Sequence, residues 1–287
     1  MQVNKFHWMI AASLLLLVPG CKKKEATPQS QTPFAWEGLK TLQHNGVSVQ
    51  ALIDAPGTAN VDVVMTYHGT VIYDSLIVQA AYNARDGFKR LSERKDILYV
   101  SVAYPEENLL FGDNLAHAEA ALHWVRDSLE GTFGVKIRKL FLAGHSQGGY
   151  LVTRMATRHV TDGVIANGPG PLNLVYRCGL EEQGKIAAGI TCNRLRSVYG
   201  RTDSNPDAYM QRSLLNFTRG FKSDILFVQG LNDSPIQMYS WPTFKQDVQQ
   251  CSDCQTIEVL ELPGLGHQAL FESASARSRY NAFLERG

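Results

Sequence analysis

The stretch Leu140-Phe141-Leu142-Ala143-Gly144-His145-Ser146-Gln147-Gly148-Gly149 decides the fold. An apolar run, Ile137–Ala143, reads as a short strand, and the Leu, Val and Met positions of Gly149–His159 recur at helical spacing. Between them Gly144 and Gly148 flank Ser146. Residues without a Cβ let a strand reverse into a helix without a clash, so Ser146 is expected on a tight elbow at the carboxyl edge of a sheet. The backbone N–H of Gln147, at the helix N-terminus, would then face any negative charge developing beside the serine. A bare G-x-S-x-G occurs by chance. Its setting between strand and helix gives it meaning.

The same alternation extends outward. Val47–Ile53 and Val61–Tyr67 read as strands about the turn signal Ala55-Pro56-Gly57, and Ile97–Ala103, Gly163–Asn167, Ile225–Gln229 and Thr256–Leu262 as further strands. Helical periodicity covers Ser75–Arg94, a segment from near Asp113 to Gly131, Trp241–Gln250 and Phe271–Leu284. Strands alternating with helices imply an α/β fold, a mostly parallel twisted sheet with helices on both faces. The rhythm breaks between Pro169 and Ser223, a stretch too long for a plain connection, so residues 169–223 are expected to contain a small cap. Leu172, Leu174, Val175, Tyr176, Ile186 and Ile190 offer it an apolar surface, turned either toward the site or onto the sheet.

A serine hydroxyl needs an imidazole to take its proton, and the imidazole needs an acid to fix its tautomer. Of eight histidines, His7 and His44 precede the regular pattern, and His117, His123 and His159 fall on predicted helices. His145 adjoins Ser146, where neighbouring side chains point apart. Apart from His68, His267 remains, in the Gly-rich loop Leu262-Pro263-Gly264-Leu265-Gly266-His267 after the last strand. Asp233 follows the strand Ile225–Gln229 at its carboxyl end. Asp224 lies at the opposite end of that strand, and Asp247 on a helix.

The chain order Ser146, Asp233, His267 resembles that of the α/β-hydrolase family, and the likeness runs from about Val47 to Phe283. Val64-Met65-Thr66-Tyr67-His68-Gly69-Thr70 is similar to the His-Gly segment after the third strand in many members, where the residue following Gly gives the second oxyanion N–H. That role maps onto Thr70, beside Gln147, and His68 is expected to be structural. Ala208–Asp233 and the Asp113–Val125 helix resemble the prolyl-oligopeptidase-like branch, although no propeller domain is expected from this sequence. The His-Gly-Thr segment is also shorter than the Gly-rich one of many lipases and esterases.

The 287 residues include 28 Lys and Arg against 27 Asp and Glu, with 44% hydrophobic and 19% charged residues. This is globular composition, and the balanced charge argues against nucleic acid as a partner. Lys5 precedes an apolar run from Met9 to Val18, shorter than the roughly 20 residues a membrane span needs and suited to a secretory signal. Val18-Pro19-Gly20-Cys21 resembles the lipobox of bacterial lipoproteins, with Pro19 an uncommon occupant. That resemblance implies a signal peptide over residues 1–20 and lipid attachment at Cys21, with the bilayer as partner. Residues 21–40 read as a flexible tether, because Lys22 to Pro33 hold no aliphatic residue larger than Ala, and residues 41–287 as the folded domain. Lys22 stands where some bacteria place an Asp to retain lipoproteins at the inner membrane, which points to the outer membrane of a bacterial envelope.

With Cys21 lipidated, Cys178, Cys192, Cys251 and Cys254 remain, an even number suited to disulfides in an exported protein. Three pairings are open, and the local ones, Cys178–Cys192 and Cys251–Cys254, are expected. Cys251-Ser252-Asp253-Cys254 lacks the helix N-terminus of a redox CxxC and a second ligand pair for zinc, so no metal is expected.

These residues point to an esterase acting through an acyl-enzyme, with no cofactor. His267 would deprotonate Ser146, Asp233 would orient His267, and the Gln147 and Thr70 amides would hold the oxyanion. The expected substrate is a small-molecule ester or a short peptide. A serine peptidase or amidase, an acyltransferase using an alcohol in place of water, and a scaffold lipoprotein that keeps the fold remain open alternatives.

Overall fold

The computed structural model describes residues 32–71, 73–105 and 115–286. The signal segment 1–20, Cys21, the tether as far as residue 31 and the helix start at Asp113 lie outside the described residues.

Eight strands, β1 (Ala35–His44), β2 (Val47–Pro56), β3 (Asn60–Tyr67), β4 (Ile97–Ala103), β5 (Lys136–His145), β6 (Gly163–Asn167), β7 (Ile225–Gly230) and β8 (Ile257–Leu262), form one sheet. Their order is β1-β2-β4-β3-β5-β6-β7-β8. The first two join antiparallel, and every pair from β4 to β8 is parallel. The helices are α1 (Ile77–Leu91), α2 (Leu115–Phe133), α3 (Gln147–Ala156), α4 (Leu174–Glu182), α5 (Ile190–Tyr199), α6 (Pro206–Met210), α7 (Pro235–Gln249), α8 (Ala269–Glu272) and α9 (Ala274–Leu284).

Period-two alternation along the strands builds two apolar layers. Val63, Met65, Leu140 and Leu142 pack with α2, α3 and α7, while Val64, Phe141 and Ala143 pack with α1, α8 and α9. Both faces of the central strands are therefore apolar, which is why β4 is buried at every position. Short loops at the carboxyl ends of β3, β5, β7 and β8 then open on one edge, where ligands bind in sheets of this kind.

The first strand corrects the expected tether. Residues 35–40 are not leash but part of β1, and the folded domain begins there rather than at residue 41. As an edge strand paired only with β2, it buries just Leu42 fully, so its mixed polarity carries almost no periodic signal. Helix α7 starts six residues before the expected Trp241. Ser234 Oγ accepts from Gln237 N (3.3 Å) and Pro235 occupies the first turn, where its missing N–H costs nothing, while Pro242 inside the helix obscures the pattern. The last helix is broken at Ser273, whose Oγ caps Ala276 N at 3.2 Å.

Within residues 169–223, α4, α5 and α6 form the expected cap. Cys178 of α4 and Cys192 of α5 are joined by a disulfide, Cα to Cα 5.4 Å, and both are fully buried. The second pair, Cys251–Cys254, closes the loop between α7 and β8. The Asn173 side chain caps α4 by accepting from Tyr176 N (2.9 Å). Glu182, nearly enclosed, accepts from Thr202 Oγ1 (2.8 Å) and pairs with Arg196 and Arg201, closing the far end of the cap.

Candidate active site

Ser146 stands between β5 and α3 with φ +56° and ψ −117°, a left-handed backbone that L residues rarely adopt. Its surroundings force that geometry. A Cβ on Gly144 would lie 2.1 Å from the Gly148 carbonyl oxygen, and one on Gly148 would lie 2.1 Å from Tyr67 O. No other residue fits at either place, so β3, β5 and the start of α3 close around the serine. Ser146 N donates to Asn167 O (2.9 Å) and Ser146 O accepts from Tyr150 N (2.9 Å) and Gly170 N (3.1 Å), which fixes the elbow on three sides.

Asp233 and His267 come from the loops after β7 and β8. The loops are tied together by Asn232 N donating to Leu265 O at 2.8 Å. His267 Nδ1 lies 2.7 Å from Asp233 Oδ2. A carboxylate only accepts, so Nδ1 carries the proton and Nε2 keeps its lone pair. Asp233 also accepts from Gln229 Nε2 (2.9 Å) and Ser234 N (2.6 Å). Burial alone would raise its carboxyl. The hydrogen bonds from His267, Gln229 and Ser234 outweigh burial and hold it below the usual carboxylate range. Gln229 is itself held by Gln237, whose Nε2 donates to Gln229 Oε1 (3.0 Å) and Pro169 O (2.9 Å).

The two expected oxyanion residues flank the serine. Gln147 begins α3, where the first-turn N–H groups have no partner within the helix. Thr70 follows Gly69, whose backbone approaches so closely that a Cβ there would lie 3.4 Å from Ser146 Cβ. His68 is structural as expected: it stacks on Tyr104 with centroids 4.0 Å apart, and its Nδ1 bonds to Gly69 O at 2.8 Å. Burial holds its imidazole below the ordinary value despite those bonds.

His145 does not simply turn away from the site. Its ring lies 4.8 Å from that of His267, with Nδ1 2.8 Å from Asn167 Nδ2. Burial, then the neighbouring His267, lower its pKa to about 4, so it is neutral. Asn167 Nδ2 donates to Nδ1, so the neutral ring carries its proton on Nε2. Asn167 is fully buried and also binds the histidine loop, through Leu270 N (3.2 Å) and His267 O (3.4 Å). Sequence reasoning missed Asn167 and Gln229. The signal was present in each, a lone amide at the carboxyl end of an otherwise apolar strand.

Ser146, Gln147, Thr70, Asp233 and His267 all line one cavity of about 630 Å³. The cap closes part of it with Gly170, Pro171, Leu172, Asn173, Arg177 and Thr191. Of the six residues expected as an apolar surface, only Leu172 lines this cavity. Leu174 is buried in the core, Ile190 is exposed, and Tyr176 stacks on Tyr239 with centroids 3.7 Å apart. The cap buries its apolar residues in the main core and turns polar ones to the site.

No family model matches the sequence, and no curated protein is significantly similar to it. Solved structures are similar at the level of the fold. Est1E from Butyrivibrio proteoclasticus aligns over 86% of this chain and 97% of its own, with a TM-score of 0.58 and 14% identity. An esterase of Pyrococcus furiosus aligns over 93% and 97%, with a TM-score of 0.61 and 12% identity. The acylaminoacyl peptidase of Pyrococcus horikoshii aligns over 88% of this chain but 41% of its own length, with a TM-score of 0.60 and 12% identity. This chain therefore spans about two fifths of that peptidase. Its fold is the α/β-hydrolase fold.

Proposed function

We propose that the protein is a serine hydrolase that cleaves carboxylic esters through an acyl-enzyme. The observation that carries this reading is the convergence, in one cavity, of a serine at positive φ and an imidazole whose Nδ1–H is bonded to a buried carboxylate. His267 Nε2 takes the proton of Ser146 Oγ as the oxygen attacks the ester carbonyl. The tetrahedral oxyanion is held by the N–H groups of Gln147 and Thr70. His267 then gives its proton to the departing alkoxide, releasing the alcohol and leaving the acyl group on Ser146. Water, deprotonated by His267, attacks the acyl carbon, and the proton returns to Ser146 as the acid leaves. Asp233 keeps the imidazole in the productive tautomer and stabilises its cationic form.

The esterase neighbours support ester substrates, and the acylaminoacyl peptidase neighbour keeps amide cleavage as the second reading. Esters come first because the cap roofs the site from within the chain itself. Labelling with a fluorophosphonate, wild type beside Ser146→Ala, tests the reading. The wild type should be labelled and turn over short esters, and the variant should do neither. A wild type that resists labelling and leaves esters intact overturns it in favour of a scaffold.

We also propose that Cys21 is lipidated and anchors the domain to a bacterial envelope membrane, in keeping with the lipobox resemblance of Val18–Cys21. Because β1 begins at Ala35, residues 22–34 reach at most about 45 Å even fully extended, so the domain stays close to the bilayer. Cys21→Ser should shift the protein from the membrane to the soluble fraction. Retention of the variant on membranes overturns the anchor.

A further inference from the structure

Among the described residues lining the catalytic cavity, Arg177 is the one permanent cation; the other ionisable groups there, Asp233 and His267, are engaged with each other. Arg177 sits on α4, in the cap, and its placement is built. Glu181, one turn on and almost wholly enclosed, lies 3.5 Å from Arg177 Nε and accepts from Gly189 N (2.9 Å) at the start of α5. A Cβ on Gly189 would lie 3.3 Å from Arg177 Nη2, so the guanidinium lies against the head of α5. The bonded half-cystines Cys178 and Cys192 directly follow Arg177 and Thr191 in the chain, so the disulfide fixes both cavity-lining residues relative to one another. Arg177 Nε is buried and has no hydrogen-bond partner among the described residues.

The cap side of the cavity is built from positive ends. Helices α3, α4, α5 and α7 all begin at its wall, through Gln147, Asn173, Thr191 and Ser234, and each adds a positive dipole end to the charge of Arg177. A neutral alkyl ester makes no use of such a site, whereas a carboxylate matches the planar donors of a guanidinium.

Resting on the serine-hydrolase reading above, we infer that the substrate ester carries an anionic group, a carboxylate, which Arg177 binds while Ser146 attacks the ester carbonyl. Arg177 is thus a specificity-determining residue, and Glu181 is a positioning residue behind it. A sphere of the cavity's volume is about 11 Å across, so the carboxylate and the scissile carbonyl belong to one short molecule, such as the half-ester of a small dicarboxylic acid or the acyl ester of a small hydroxy acid.

Two substrate pairs test this on the full chain. Monomethyl glutarate against methyl hexanoate places the charge on the acyl side, and 4-acetoxybutanoate against pentyl acetate places it on the alcohol side. The wild type should prefer the anionic member of at least one pair. The ratio of kcat/KM values for that pair should fall roughly ten- to a hundred-fold in Arg177→Met and recover in part in Arg177→Lys, because a charge-assisted hydrogen bond is lost and then partly restored. A variant that does not fold is replaced by inhibition of the wild type, where hexanoate should compete against pentyl acetate far better than hexanamide. Turnover with ratios indifferent to Arg177 in both pairs, or equal inhibition by hexanoate and hexanamide, overturns the inference alone. Absence of both turnover and phosphonate labelling overturns the serine-hydrolase reading, and the inference with it.

Discussion

Replacing Ser146 by Gly should stabilise the protein while removing the proposed nucleophile. The reason lies in the backbone. At φ +56° and ψ −117°, Ser146 occupies a region that costs a residue with a Cβ about 1–3 kcal/mol and costs Gly almost nothing. Gly also loosens the unfolded chain, at about 0.4–1 kcal/mol. The proper reference is Ser146→Ala, which lacks the hydroxyl but keeps the Cβ at the same φ, so that contacts of Oγ cancel. The difference leaves the Gly variant more stable than the Ala variant by about 1 kcal/mol, or some 2–4 °C in Tm for a domain of this size. Urea unfolding of the two variants, with equal slopes, measures it as a shift in midpoint. Both variants should be inactive toward esters, so the more stable protein is no better a catalyst. A Gly variant equal to or weaker than the Ala variant would show that the elbow carries no backbone strain, and the argument from positive φ would fall.

Ser146→Ala combined with His267→Ala should be scarcely worse in ester turnover than either change alone, because the groups act as a unit; additive losses would remove His267 from the role of base. The pKa of about 4 at His145 gives a pH dependence with a definite sign. Between its unfolded value near 6.5 and about 4 the unfolded chain binds a proton that the folded one refuses, so stability falls as pH drops through that window, by up to about 3 kcal/mol. Urea midpoints at pH 7 and pH 4.5 check this, and His145→Gln should flatten the slope. Replacing both Cys178 and Cys192 by Ala should shift the preference among esters more than it slows phosphonate labelling of Ser146, because the bridge holds cap residues and not the elbow. An unchanged preference would show that the cap keeps its shape without the bridge.

The elbow was legible because its chemistry is local. Gly144, Ser146 and Gly148 announce a turn that only small residues can make, and the clashes a Cβ would meet there come from the adjacent segments of one strand–turn–helix unit and the strand beside it. Asp233 and His267 were legible for a second reason: each closes an apolar strand, and strand ends in a parallel sheet share one edge. The alternation of strand and helix gave the layers. What stayed hidden depends on partners distant in sequence. β1 is held by β2 along one edge and shows one buried side chain, Leu42, so its identity as a strand is a property of the pair rather than of its own residues.

The polar frame of the site was hidden in the same way. Asn167 reads as the end of a strand, yet it bonds to Leu270 and His267, about a hundred residues on, and to His145 before it. Gln229 reads as a flaw in an apolar run, yet it holds the proposed triad's carboxylate and is held in turn by Gln237. An amide at the carboxyl end of a buried strand cannot stay unbonded, because an unsatisfied buried polar group costs about 1–3 kcal/mol. Its presence is therefore a statement that a polar partner waits at that edge, without saying which. The cap shows the converse. Its apolar residues left both an inner lining and burial in the core open, and Leu174, Cys178, Cys192 and Leu195 are buried in the core. That choice leaves the polar side of α4, with Asn173 and Arg177, for the cavity. The charge that lines the same cavity as Ser146 is thus a consequence of how the cap packs, and a sequence read for hydrophobic pattern alone passes over it.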